Sequence, residues 1–180
     1  MRFIIFIVPP LDIEERIFKF QKSFPSNKVP YFYQPHITLK APSGLSEDMA
    51  WLERVKILVG NHVPFEIKFK GLGEFDDRVL FLKPVFSDGL MDLHNKLITL
   101  LNPSTEARGK FFEGSLYNPH LTLGETTWGG MTTEELGAMK NKAETEFRTV
   151  MSFPVTFVRV YQKQTDDGIY QKFVDIPLKA

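Results

Sequence analysis

Two short segments of the chain carry the residue types that can do chemistry. Residues 33–39 read Tyr-Gln-Pro-His-Ile-Thr-Leu and residues 117–123 read Tyr-Asn-Pro-His-Leu-Thr-Leu. Histidine titrates near neutral pH, with a reference pKa of about 6.5, so one imidazole can accept a proton while a second one donates a proton. Two such rings on opposite sides of a reacting atom form a general acid–base pair. His36 and His120 are therefore the candidate catalytic residues.

A threonine follows each histidine at the second position, in a segment that alternates polar and apolar residues. This alternation predicts a half-buried strand, in which His36 and Thr38 share one face, and His120 and Thr122 share the corresponding face. A threonine hydroxyl beside each ring can donate to the non-bridging oxygens of a phosphate. The four side chains thus predict a site around phosphorus that needs neither a metal nor a covalent intermediate.

The two segments belong to a longer internal repeat. The histidines are 84 positions apart, from 36 to 120, and each is followed by a helix, a strand, a turn and a strand. We interpret the chain as one bilobal domain over residues 1–180, with interleaved lobes and repeats at roughly 1–87 and 88–180. The predicted fold is α+β, with two mostly antiparallel sheets flanked by helices around a central cleft, related by a pseudo-twofold axis.

Local patterns predict the elements that position the site. Helices are expected after capping boxes at Asp12/Glu15 and Thr132/Glu135, after an N-cap at Ser46, and from Asp88. Residues 102–110 are expected to form a polar loop, and 111–112 to begin a short strand. Turns are predicted at 76–78 and 166–168. The predicted strands cover residues 2–8, 33–39, 65–70, 79–85, 117–123, 154–158 and 169–176.

Composition restricts the classes of function. The 180 residues include 22 Lys and Arg against 22 Asp and Glu, and a chain without a basic excess is not suited to binding long nucleic acid. No cysteine is present, which excludes disulfide scaffolds, thiolate zinc sites and cysteine nucleophiles. The apolar N-terminal run ends at Pro9-Pro10 without a cleavage site, so a first strand is favoured over a signal peptide. We expect a soluble, cytoplasmic monomer with no membrane partner and no cofactor.

The paired His-Ile-Thr and His-Leu-Thr triplets resemble the two H-x-T motifs of the 2H phosphoesterase superfamily, which includes 2′-5′ RNA ligases and cyclic phosphodiesterases. The resemblance covers essentially the whole chain. It implies metal-independent chemistry on 2′,3′-cyclic or 2′-5′ phosphodiester bonds of RNA ends or small nucleotides, hydrolysed or reversibly ligated. It also implies catalysis by His36 and His120, with phosphate held by Thr38 and Thr122. For hydrolysis the resemblance favours His120 as base and His36 as acid, although symmetry alone leaves the roles open.

Three alternatives compete with this interpretation. In the first alternative, the protein is a non-catalytic module of the same fold that binds nucleotides or RNA ends. In the second, the motifs are only half-buried strands of a duplicated sheet. A third alternative is a metal-dependent hydrolase, but two histidines without an adjacent carboxylate fall short of the usual three protein ligands.

Five further residues are candidates for contacts near the phosphate. Lys40 lies on the predicted strand face of His36, where it either contacts substrate or ends the strand in solvent; its counterpart in the second copy is Gly124. Tyr33 and Tyr117 either stack on a base or pack locally. Arg108 and Lys110 either form a basic rim or belong to an ordinary surface loop. His62 and His94 have no counterpart in the other half and are given structural roles.

Overall fold

A computed structural model describes residues 1–165 and 168–180. Its eight strands are β1 (Arg2–Ile7), β2 (Ile37–Lys40), β3 (Phe65–Phe75), β4 (Val79–Pro84), β5 (Leu121–Glu125), β6 (Met151–Val155), β7 (Phe157–Lys163) and β8 (Gln171–Pro177). Its six α-helices are α1 (Leu11–Lys22), α2 (Val29–Phe32), α3 (Leu52–Gly60), α4 (Asp88–Leu101), α5 (Thr105–Lys110) and α6 (Thr133–Glu146). A 3-10 turn at Gly114–Leu116 precedes the second motif.

The strands form two four-stranded antiparallel sheets. The first has the order β2-β1-β7-β8 and the second has the order β5-β4-β3-β6. Each sheet draws strands from both halves of the sequence, and each has its motif strand, β2 or β5, at one edge. These two edge strands approach each other. The fold is the duplicated α+β arrangement that the sequence predicts.

Two helices connect the sheets. Helix α1 follows a strand of the first sheet but contacts β5 of the second, and α4 follows a strand of the second sheet and contacts both β2 of the first and β3 of the second. Most buried apolar residues form one continuous core. A smaller cluster of Phe6, Val8 and Tyr161 lies apart from this core. The Phe6 ring of this cluster stacks on the ring of His36. Burial of these apolar side chains is the main force that fixes the motif strands in place.

Several local predictions are confirmed. The capping box of α6 is present, with Thr132 Oγ1 accepting from Glu135 N at 3.1 Å and Glu135 Oε2 accepting from Thr132 N at 2.8 Å. Helix α4 begins at Asp88, and the turn at 76–78 connects β3 and β4. The predicted turn at 166–168 includes Asp166 and Asp167, which lie outside the described residues.

Other local predictions are wrong. Asp12 does not cap α1, because the helix starts one residue earlier, after Pro10. Ser46 does not cap a helix either, since its hydroxyl donates to Asp48 at 2.5 Å within a turn and α3 begins only at Leu52. The segment expected as the loop 102–110 contains α5, which is capped by Ser104. Residues 111–112 form no strand, and the predicted strand 154–158 is divided at residue 156, where the chain passes from the second sheet to the first.

Within the described part of the chain, none of the helices has the length and apolarity needed to cross a membrane.

Candidate active site

The two motif strands share a local irregularity that places histidine and threonine in the same way. In the first sheet Phe6 pairs with Thr38 and Ile5 pairs with Lys40, so Leu39 is an extra residue in its strand. The equivalent pairs in the second sheet are Phe81 with Thr122 and Leu80 with Gly124, which makes Leu123 the extra residue. A bulge of this kind bends an edge strand and re-aims its side chains. The repeat therefore extends to the hydrogen-bond register.

Both histidine rings are held in the same tautomer. The Nδ1 atom of His36 lies 2.8 Å from the backbone oxygen of Gln34, and that of His120 lies 2.8 Å from the backbone oxygen of Asn118. A carbonyl oxygen only accepts hydrogen bonds, so Nδ1 must carry the proton in each ring. The Nε2 atom of each ring is then left to exchange a proton with a bound group.

Aromatic side chains enclose both imidazoles. Phe6 stacks on His36 with ring centroids 3.7 Å apart, and Tyr33 lies against the same ring at 5.5 Å. The His120 ring meets Phe75 edge-on at 4.9 Å and Phe81 at 5.4 Å. This enclosure removes water from the rings and disfavours the imidazolium form.

The pKa values of the two histidines follow from this burial. Desolvation lowers the pKa of His36 to about 4, although the hydrogen bond to Gln34 opposes the shift. Desolvation also lowers the pKa of His120, against the hydrogen bond to Asn118. A charge on His120 lowers the pKa of His36 further. The two rings therefore interact electrostatically, and His36 titrates in the field of a charged His120.

The motif threonines are half-buried, and each lies in its strand two residues after a histidine that directly precedes the strand. Within residues 1–165 and 168–180, neither the Thr38 nor the Thr122 hydroxyl has a hydrogen-bond partner. Their backbone oxygens are occupied, that of Thr38 by the Tyr117 hydroxyl at 2.9 Å and that of Thr122 by Gln21 Nε2 at 2.9 Å. The backbone of each threonine is thus fixed while its hydroxyl remains available to a ligand.

A cavity of about 550 Å³ opens beside Thr38 and His120. Its walls are mostly aromatic and aliphatic, with Asp76, Asn118 and Glu113 as polar members. The apolar wall residues are Leu39, Ala41, Phe75, Phe111, Phe112, Leu116 and Tyr117. His36 and Thr122 lie outside this lining, so the cavity lies on the His120 side of the site.

Lys40 is neither a solvent-exposed strand end nor an available cation. It has 0% exposure, and its ammonium lies 2.6 Å from Glu113 Oε1 and 2.8 Å from Ser43 Oγ. Desolvation lowers the pKa of Lys40, and the hydrogen bond and charge of Glu113 oppose this. The pair joins β2 to the loop before the second motif, so Lys40 has a structural role and does not face a phosphate.

Of the four other candidates from the sequence, the two tyrosines lie at the site, whereas the arginine and the lysine lie outside the cavity lining. Tyr33 lies against the His36 ring, and Tyr117 lines the cavity. Arg108 and Lys110 lie in α5, outside the cavity lining. Arg108 donates to the backbone oxygen of Pro103 at 3.0 Å, and Lys110 lies 5.7 Å over the Phe111 ring.

Two further residues lie near the site: His94, to which the sequence analysis gives a structural role, and Glu113, which it does not single out. His94 is fully buried: its Nδ1 donates to the backbone oxygen of Leu39 at 2.9 Å, its Nε2 accepts from Gly114 N at 3.0 Å, and Tyr117 stacks on it at 3.7 Å. The helical spacing from Leu90 places His94 on the buried face of α4, a signal that was present in the sequence. Glu113 gave no such signal, because its partner Lys40 is 73 positions away.

Among residues 1–165 and 168–180, no three His, Asp or Glu side chains lie close enough together to hold a metal ion. The absence of a metal requirement stays a prediction for this site.

Comparison with known proteins identifies the family. A model of the 2′-5′ RNA ligase superfamily matches residues 9–167. The fold resembles that of TT0787 from Thermus thermophilus, with 18% identity, a TM-score of 0.67, and coverage of 99% of this chain and 98% of that one. It also resembles E. coli LigT in its complex with phosphate, with 20% identity, a TM-score of 0.62, and coverage of 99% and 98%. No curated protein sequence matches the chain. The chain belongs to the 2′-5′ RNA ligase superfamily, the 2H phosphoesterases.

Proposed function

We propose that this protein is a metal-independent phosphoesterase in which His36 and His120 act as a general acid–base pair on 2′,3′-cyclic or 2′-5′ phosphodiester bonds. The observation that supports the proposal is that both imidazole rings are held in the same tautomer by the same kind of hydrogen bond. Each donates Nδ1–H to a backbone oxygen at 2.8 Å and keeps Nε2 for a ligand. A pair fixed in this way can remove a proton on one side of a phosphate and deliver another on the opposite side.

In hydrolysis, His36 is the base and His120 is the acid. The pKa of His36 is lowered by burial to about 4, which leaves its Nε2 unprotonated near neutral pH, and a positive charge on His120 contributes to this lowering. This assignment is the opposite of the one that the family resemblance favours. In the ligation direction the two roles exchange, since the reverse reaction passes through the same transition state.

Each step of hydrolysis then has a named proton carrier. Water attacks phosphorus while His36 Nε2 removes its proton, and the bond from phosphorus to one ribose oxygen breaks. His120 Nε2–H gives its proton to that oxygen, so the products are a phosphomonoester and a free hydroxyl. The hydroxyls of Thr38 and Thr122 donate to the non-bridging oxygens, where negative charge increases in the transition state. The structures of LigT complexed with phosphate and with 3′-AMP support placing a nucleotide phosphate in this fold.

The test is hydrolysis of adenosine 2′,3′-cyclic phosphate by His36→Ala and His120→Ala. Each variant should lose about 10²- to 10⁴-fold in kcat, because each removes one proton carrier from the transition state. The double variant should lose little more than either single one, as expected for residues that act together. His62→Ala, which removes a histidine outside the site, is the matched control and should keep its activity. Hydrolysis by the wild type should survive EDTA.

Near-normal activity of both single variants, with folding intact by circular dichroism, would overturn the proposal. Tight binding of 3′-AMP by a wild-type protein that turns over no phosphodiester would favour the non-catalytic alternative.

A further inference from the structure

Three aromatic side chains lie together beside His36 and are here called the aromatic platform: Phe32 and Trp128, which are exposed, and Tyr33, which is half-buried. Ring centroids are 5.6 Å apart for Phe32 and Trp128, and 6.0 Å apart for Tyr33 and Trp128. Phe32 is 40% exposed and Trp128 is 46% exposed. Because Tyr33 also contacts the His36 ring, the platform is continuous with the candidate active site.

The platform is assembled across the two repeats and is held in place. Trp128 lies in the loop that follows β5, the second motif strand, yet it packs beside the first motif. The loop is tied to the other side by the Lys28 N–H, which donates to the backbone oxygen of Gly129 at 2.7 Å. Gly129 itself approaches the backbone of Glu125 so closely that a Cβ would lie 2.4 Å from its oxygen. The exposed rings are therefore preorganised before any ligand binds.

The cavity supplies an aromatic surface at the other histidine. Phe75, Phe111, Phe112 and Tyr117 line it next to His120 and Thr38. A phosphate between the two histidines would thus have one aromatic surface on each side. A cyclic mononucleotide has one base and can occupy only one of these surfaces, whereas an internucleotide phosphodiester has one nucleoside on each side of its phosphate.

We propose that the aromatic platform binds the base of a second nucleoside, so that the preferred substrate is an internucleotide phosphodiester with one base in the cavity and the other on the platform. Stacking on neutral aromatic rings recognises a nucleobase without a basic surface, which agrees with a chain of zero net charge. This inference rests on the proposed function. The reaction is the same step: water attacks phosphorus, one phosphorus–oxygen ester bond breaks, and a nucleotide and a nucleoside with a free hydroxyl are released.

The experiment compares two substrates, 2′-5′-linked diadenosine monophosphate and adenosine 2′,3′-cyclic phosphate. Trp128→Ala and Phe32→Ala should lower kcat/KM for the dinucleotide about tenfold, since each removes an aromatic ring on which the second base stacks. The same variants should leave kcat/KM for the cyclic mononucleotide unchanged, because its base occupies the cavity. Phe86→Ala, which removes an exposed phenylalanine outside the platform, is the matched control for both substrates.

Binding can be measured separately from turnover in the His120→Ala protein. Trp51 is only 3% exposed, so quenching of tryptophan fluorescence by the dinucleotide should report on Trp128. The inference is overturned if Trp128→Ala affects both substrates equally, affects neither, or if the wild type cleaves only the cyclic mononucleotide. Failure of the wild type to cleave either substrate would instead refute the proposed function.

Discussion

The first and second motif strands both have backbone oxygens at a bulge that need hydrogen-bond donors, and different side chains supply these donors in the two strands. At each bulge, the backbone oxygens of the threonine and of the following leucine need partners, because a buried carbonyl without a hydrogen bond is costly. At Thr38 and Leu39 the donors are the Tyr117 hydroxyl and His94 Nδ1. The donors at Thr122 and Leu123 are Gln21 and Asn27, through their side-chain amides, at 2.9 Å each.

This difference shows what a duplicated site must keep and what it is free to change. The backbone path and the paired His and Thr recur, as the proposed reaction would require with its two proton carriers in equivalent positions. The supporting donors only have to satisfy two carbonyl oxygens, so amides serve at one bulge and an aromatic–imidazole stack serves at the other. The stack of His94 and Tyr117 also forms part of the cavity wall, which places the cavity on one side of the site.

The two histidines differ in how firmly the residue before each proline is held. The Gln34 amide oxygen accepts from the Tyr161 hydroxyl and lies 3.4 Å from Arg159, which is itself paired with Asp175. Asn118, the counterpart of Gln34, is exposed at the cavity. The residue that receives the His36 Nδ1–H is therefore held by more side-chain contacts than the residue that receives the His120 Nδ1–H.

The assignment of His36 as base and His120 as acid can be tested with a substrate whose leaving group needs no proton. On a p-nitrophenyl phosphodiester, His120→Ala should recover most of its loss of about 10²- to 10⁴-fold, because nitrophenolate departs without an acid. His36→Ala should stay impaired, since water still needs a base. The measurement is kcat for both variants on the activated ester and on the cyclic phosphate. Recovery by His36→Ala instead would restore the roles that the family resemblance favours.

Lys40 and Gly124 offer the sharpest chemical contrast between the halves. Lys40→Met leaves the Glu113 carboxylate buried without its cation, which should lower the free energy of unfolding by about 3–5 kcal/mol. The double variant Lys40→Met/Glu113→Leu should recover much of this loss, because neither charge then remains buried. Urea unfolding measures both. The exposed pair Lys56–Glu53 is the control, and Lys56→Met should cost less than about 1 kcal/mol.

If Lys40→Met were no more costly than Lys56→Met, the buried pair would contribute little to joining β2 to the loop before the second motif.

The pH dependence of kcat/KM should report the two histidines of the free protein. His36 must be neutral to act as base, so the rate should fall about tenfold per pH unit below its pKa of about 4. His120 must be protonated to act as acid, so the rate should fall as pH rises above its pKa, which lies below 6.5. The optimum should therefore lie on the acid side of 6.5, as a pH series on the cyclic phosphate would measure. An optimum above pH 7 would contradict the burial of these rings.

Sequence periodicity predicted the parts of this fold that depend on local pattern. The alternation around each motif predicted β2 and β5, but these strands begin at Ile37 and Leu121, so the predicted strand residues 33–36 and 117–120, with both histidines, precede them. Thr132 with Glu135 predicted the start of α6, because capping depends on residues three positions apart. The choice of sheet for each strand could not be predicted locally. The chain changes sheets at residue 156 within an unbroken strand-like pattern, and only the packing of both cores determines that break.

The same limit applies to the candidate site. The four motif residues were found because they recur in one frame, whereas Glu113 and Gln21 act only through partners 73 and 101 positions away. Lys40 was placed on the correct strand, but its burial depends on that distant glutamate. Contacts between remote segments, rather than the motifs themselves, are what the sequence left open.

The smallest expected effect concerns the hydrogen bond to the backbone oxygen of a motif threonine, which a tyrosine hydroxyl donates at Thr38 and a glutamine amide donates at Thr122. Tyr117→Phe keeps the ring that stacks on His94 but removes the hydroxyl, so the backbone oxygen of Thr38 loses its donor at 2.9 Å. We expect a loss of about 1 kcal/mol in the free energy of unfolding and a fall of several-fold in kcat, with KM less affected, because Thr38 moves relative to the transition state. Tyr31→Phe, at a 64% exposed tyrosine, is the matched control. An unchanged kcat would mean that the first motif does not depend on its aromatic support, and the contrast with the amide-supported second motif would then concern stability alone.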